Sequence, residues 1–215
     1  MSREGKIRVI GVNKAYREIK DSNEWIHATW FGDTSFYETF RRMKERNLYS
    51  FSGIKAGCCP HCHGDPAIMY FRRDRQKGPG ITGRRDSVSW NKNSGGSAIN
   101  FAYHLGGPNA VIFLFGFDLK RDKNEESHWH NGYSEDFNRK NKNVGMPFNK
   151  WKGTHETIAR DAKHIGLKIY NVNPGSAIDC YEKIDFEQFL KMVDEDSGVD
   201  IVSNVEQSVN AEMTN

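Results

Sequence analysis

Residues 90–119, WNKNSGGSAINFAYHLGGPNAVIFLFGFDL, place an Asn-Ser-Gly-Gly turn, a helical run rich in small residues and an apolar strand in thirty consecutive positions. Asn93-Ser94-Gly95-Gly96 lies where a loop enters a helix over 95–105, and Gly106-Gly107-Pro108 stops it. The unbroken apolar run at 110–115 is that of a strand covered on both faces, as in a parallel sheet. A loop that enters a helix after a strand of such a sheet sits where ligands bind. The free amides of the first helical turn favour an anion there, and the Ser94 hydroxyl adds one directed hydrogen bond. The same glycines would equally serve close packing of the helix on the sheet.

The pattern repeats outward in both directions. Residues 6–12 (KIRVIGV) and 26–31 (IHATWF) read as buried strands, and 52–55 and 67–71 as short ones. Phe36, Tyr37, Phe40 and Met43 recur at helical spacing between 34 and 46, with Asp33 or Thr34 as the cap. A helix is expected over 154–164, capped by Thr154 and closed by Gly166, followed by a strand over 167–172, a turn at 173–176 and an amphipathic helix over 185–193. Strands alternating with helices imply an α/β fold: one domain over 1–193, with a mostly parallel, Rossmann-like sheet and helices on both faces. Residues 194–215 read as a flexible polar tail. The chain has no internal repeat.

The charge balance, 31 Lys and Arg against 28 Asp and Glu, gives a net +3, too little to argue for nucleic-acid binding. Arg72, Arg73, Arg75, Lys77, Arg84 and Arg85 do cluster in an aperiodic, Gly-rich stretch, 72–90, which reads as a long loop suited to an anion or as a solvated surface. No stretch approaches the roughly 18 apolar residues of a membrane span, and no leader is seen, so a soluble, cytoplasmic protein is expected. Three of the four cysteines lie in Cys58-Cys59-Pro60-His61-Cys62-His63. The C-x-x-C spacing is that of a redox motif, but Gly64-Asp65-Pro66 blocks the helix such a motif opens. Structural zinc on Cys59 and Cys62 with Cys58, His61 or His63 is the other specific reading, and it lacks a second ligand pair. Reduced thiols in a loop are the plain one. His128-Trp129-His130, near Asp118 and Asp122, has neither the Asp-x-Asp nor the His-x-x-x-His spacing of a cation site; a loop that orders over a substrate accounts for it as well.

The ordered set NSGGSAINFAYHLG, AVIFLFGFDL, a His-containing polar loop and HETIARDAKHIGLKIYNVNPGSAI resembles the C-terminal half of a Rossmann-like glycosyltransferase superfamily. That superfamily holds the bacterial sialyltransferases, the MptE-like pterin diphosphokinases and related phage and archaeal proteins. RVIGVNKAYREI and ATWFGDTSFYETF resemble its nucleotide-contacting strand ends, so the likeness spans about 8–189 and is closest to the phage members. The resemblance implies a nucleotide-sugar donor of the CMP-sugar kind with no obligatory metal, and a phage protein acting in a host's cytoplasm. The acceptor would be a modified DNA base, a glycan or a metabolite, and homo-oligomers are compatible with it. By the same resemblance Asn13 and Asp33 sit at the nucleoside end, Asn93, Ser94 and Gly95 hold ribose or phosphate, Asp118 ends the strand that faces the ligand, as a structural cap or a polar contact, and Pro174 to Ser176 shape the base-binding rim. The family's catalytic histidine falls near Phe148 or Asn149, neither of which is a base. His130 and His128, then His155 at the start of its helix, are the substitutes, with a pKa suited to deprotonating an acceptor hydroxyl. Family members open with a strand and a Gly-x-Gly-Pro-Ser phosphate loop, which MSREGKI lacks. Three functions follow: a glycosyltransferase, a nucleotide-binding module without catalysis, or a pterin-type diphosphokinase that would need Mg²⁺.

Overall fold

The computed structural model describes residues 7–18, 26–44, 47–120 and 148–197. Its elements in chain order begin with β1 Ile10–Val12, α1 Ala15–Glu18, β2 Ala28–Phe31 and α2 Thr34–Phe40. After β3 Ile54–Gly57, a single 3₁₀ turn, Pro60–Cys62, leads to β4 Met69–Tyr70, β5 Arg72–Arg73 and β6 Ser87–Val88. Then come α3 Ser94–Gly106, β7 Val111–Leu114, α4 Phe148–Ile165, β8 Lys168–Asn171, β9 Glu182–Lys183 and α5 Phe186–Ser197. Every strand pairing is parallel, so the expected α/β class holds. The strands fall into three hydrogen-bonded sets, β1-β2-β3-β4, β5-β6 and β7-β8-β9.

The period of two along β2 decides what each face buries. Ala28 and Trp30 point to α3, where Trp30 stacks on Phe101 at 4.8 Å and its indole N–H donates to Ser97 Oγ at 3.0 Å. Phe31 points the other way, into a cluster with Tyr16, Phe36, Tyr37, Phe40 and Leu48 from α1, α2 and the 3₁₀ turn Leu48–Ser50. The first sheet thus carries helices on both faces. α3 also serves the third sheet: Ile99 packs with Leu114, Ile158, Ile169 and Ile178 in a separate cluster under α4. Gly107, at φ 77, ends α3 in the left-handed region that glycine adopts without strain, its amide bonding Tyr103 O at 2.7 Å.

Three expectations need correction. The helix expected over 154–164 is already formed at Phe148, so Thr154 is no cap: it is buried within α4 and its hydroxyl donates to Trp151 O at 2.7 Å. The polar composition of 148–153 conceals the two aromatics, Phe148 and Trp151, that pack on each other there. The last helix runs to Ser197, past the boundary set at 194. Finally, 72–90 is not a solvated loop. Fully buried Asn91 accepts from Gly80 N at 2.7 Å and donates to the carbonyls of Gly80, Ser89 and Gly96, while fully buried Asn100 accepts from Thr82 N and Ser89 N and donates to Thr82 O. Two side-chain amides here supply the partners that buried backbone requires where no ladder runs.

Candidate functional site

The carboxyl ends of β1 and β2 meet the start of α3, which is where a parallel sheet offers a ligand site. β2 runs through Gly32 into Asp33. Gly32 is needed for packing, since the indole of Trp90 lies where a Cβ would stand. Its amide donates to Ser94 Oγ at 3.2 Å, and Ser94 Oγ donates in turn to Asp33 Oδ2 at 2.8 Å. Ser94 is buried and Asp33 exposed, so the hydroxyl holds the carboxylate in place from beneath. The Asn93 side chain caps the helix by accepting from Gly96 N at 2.6 Å. The amides of Ser94 and Gly95 make no hydrogen bond among the described residues. Asn13 follows β1 in the left-handed region, φ 54, with its amide bonded to Trp30 O at 2.8 Å. Its side-chain oxygen is buried and has no partner among the described residues.

The glycines of the turn are explained by their neighbours. A Cβ on Gly96 would stand 2.7 Å from Asn91 Cβ, and one on Gly95 3.0 Å from the Phe117 ring. The packing role foreseen for them is therefore present. What faces outward beside it is the Asp33 carboxylate. A phosphate against Asp33 would bring like charges together, whereas a ribose diol donates to a carboxylate.

Arg73 lies beside this corner, unmarked by any periodicity. Its guanidinium sits 4.0 Å from the Trp90 ring centre and donates to Gly32 O at 2.6 Å and Cys58 O at 2.9 Å, which ties the ends of β2 and β3 together. Three of the other basic residues are paired with carboxylates: Lys77 with Asp161 at 2.9 Å, Arg84 with Asp74 at 3.7 Å and Arg72 with Asp86 at 3.6 Å. Arg75 and Arg85 take no such partner among the described residues. The only sequence cue to this arrangement was the company of Trp90, Asn91 and Asn93, polar residues flanking an aromatic just before a helix.

The second group of expected residues lies apart. Asp118 accepts from the Asn173 amide, and its carbonyl from Ala177 N at 2.8 Å. Buried Ser176 donates to Phe117 O at 2.6 Å and accepts from Ile178 N at 3.0 Å. Both residues thus join the loop after β7 to the loop after β8, and Pro174 is exposed at its tip. His155 is corrected outright: it is 1 % exposed in the middle of α4, with Tyr181 Oη 3.0 Å from Nδ1 and Phe117 edge-on. Burial lowers its pKa to about 4, so it stays neutral, and no acceptor can reach it. His128 and His130 lie outside the described residues.

The zinc reading also fails among the described residues, where no three His, Cys, Asp or Glu side chains converge on one point. Cys59 and Cys62 turn into the core, but His61 turns outward to Glu38 at 3.1 Å and His63 lies edge-on to Tyr70. Cys58 points through the opposite face of β3's end, into the cluster under α3. No helix of the described residues is long and apolar enough to cross a membrane.

No family model matches the chain, and neither does any curated protein or solved structure.

Proposed function

We propose that this protein binds a nucleotide by its ribose at the corner formed by Asn13, Asp33 and the first turn of α3. One observation carries the reading: Ser94 spends its hydroxyl on fixing the exposed Asp33 carboxylate beside two backbone amides that have no partner among the described residues. A carboxylate so held accepts from a ribose diol, and the amides of Ser94 and Gly95 can donate to the diol oxygens. Asn13, whose buried side-chain oxygen has no partner among the described residues, lies at the same end of the sheet. Sugar transfer from such a nucleotide is the further step the family resemblance implies. His155 cannot serve it, so the base would have to be His128 or His130.

Mass action makes the test direct, because a ligand of the folded state alone raises Tm. Cytidine, CMP and CMP-sugars should raise it by several degrees at saturating concentration. Nucleosides lacking the 2′-hydroxyl should raise it less, and Asp33→Asn should erase the difference. A panel of ribonucleotides that leaves the transition unmoved refutes the proposal. Release of free CMP from a CMP-sugar, abolished in His128→Ala/His130→Ala, would add transfer; binding without release leaves a nucleotide-binding module.

A further inference from the structure

Cys59 and Cys62 have no part in that corner, yet their placement is specific. Cys59 is extended and stands immediately before the single turn Pro60–Cys62, which is closed by Cys62 N to Cys59 O at 3.2 Å and His63 N to Pro60 O at 3.2 Å. A turn closed between residues three apart brings their Cα atoms within about 7 Å, the span over which a disulfide can form. Both side chains enter the same cluster, among Phe31, Phe36, Tyr37 and Ile68, and the Cys62 thiol lies 3.1 Å from Cys59 O. A hydrogen bond from the Cys62 thiol holds Cys59 below its ordinary pKa and pushes Cys62 above it, while the Arg73 guanidinium, which bonds Cys58 O, lowers Cys59 further. Cys58 differs in every respect: it faces Trp30 and Phe71 across the sheet, and burial pushes its thiol up to about 11. No third His, Cys, Asp or Glu converges on the pair among the described residues.

We propose that Cys59 and Cys62 form a dithiol that hydroperoxides oxidise to an intramolecular disulfide. The sulfur of Cys59, as thiolate, attacks the peroxide O–O bond and becomes a sulfenic acid, releasing water from hydrogen peroxide. The Cys62 sulfur then displaces the sulfenic oxygen as a second water, giving the S–S bond; two thiols and one peroxide yield one disulfide and two waters. The exposed His61 and its one turn of chain cover the pair, and both thiols are fully buried. A molecule as small as peroxide needs only that turn to open, whereas a protein-sized thiol is kept out. The placement of both side chains in one cluster favours closure over further oxidation of Cys59.

The test uses the folded full chain. After peroxide treatment, unfolding in iodoacetamide and peptide mass analysis, the segment carrying all three cysteines should show one alkylated residue, Cys58, and a Cys59–Cys62 bridge lighter by two hydrogens; dithiothreitol should restore three alkylated residues. In Cys62→Ser, dimedone should trap a sulfenic acid at Cys59, and in Cys59→Ser peroxide should leave Cys62 a thiol. Should a variant not fold, the wild-type peptide decides alone. Alkylation of all three residues after peroxide, a bridge through Cys58, or one between two chains overturns the proposal.

Discussion

Two residue types whose side chains rarely draw notice in a sequence, asparagine and tryptophan, fix the corner at which the sheet meets α3. Asn91 uses its oxygen and both amide protons on backbone that would otherwise be buried without partners. Replacing it by alanine leaves Gly80 N a buried donor with no acceptor and strands the carbonyls it served. The unmet donor and lost bonds together should cost on the order of 3 kcal/mol. Urea denaturation of Asn91→Ala should show that loss in the midpoint with the slope unchanged. Asn91→Asp would keep the acceptor but bring a buried charge, and should be no better. A midpoint within experimental error of wild type would mean that the 72–90 segment is not held as described.

At the scale of elements, what the sequence revealed followed from period, and what it hid followed from long-range pairing. The α3–β7 stretch, the β2 strand and the Gly107 and Gly166 stops were legible because a cap, a period and a breaker each leave a local mark. So was the Asp33–Ser94 corner, though only as two separate residues. Their contact spans 61 positions and no local rule contains it. The order within 72–90 was illegible for the same reason: β5 and β6 are two residues each, below the length at which alternation can be seen, they pair with each other, and Thr82 and Ser89 beside them bond a side chain on α3, that of Asn100. His155 was misread because its helix begins earlier than its own best cap suggested. The joint between β2 and α3 gives the element its own prediction. In Gly32→Ala the new methyl must displace the Trp90 ring, over which the Arg73 guanidinium lies. Overpacking of that kind costs about 1–3 kcal/mol. It should also weaken nucleotide binding more than stability alone predicts, because Ser94 and Asp33 move with the helix start. A ligand-induced Tm shift equal to that of wild type would uncouple the joint from the site.

For the molecule as a whole, the buried imidazole of His155 links stability to pH. It stands between the Ile99–Ile158 cluster and Tyr181, where charging it would strand a cation without a counterion. Its folded pKa is lowered from 6.5 to about 4 by burial. In the unfolded chain the same group protonates near its ordinary value. Between those two points the unfolded state binds the extra proton, so stability increases with pH across the window and is lost as pH falls from 6.5 towards 4. The full loss from this one group is roughly 3 kcal/mol, complete only below the folded value. Carboxylates held low in the folded state, Asp74 by the Lys77 amide foremost, act in the same direction but mostly at lower pH. The two contributions separate in a comparison of wild type with His155→Gln: denaturation midpoints taken from pH 7.5 down to 4.5 should fall less steeply in the variant below 6.5, whatever its stability at neutral pH. Parallel curves would show that His155 is protonated in the folded protein as readily as in the unfolded one. The imidazole would then have water or an anion beside it, and α4 could not lie against β8 and Tyr181 as it does here.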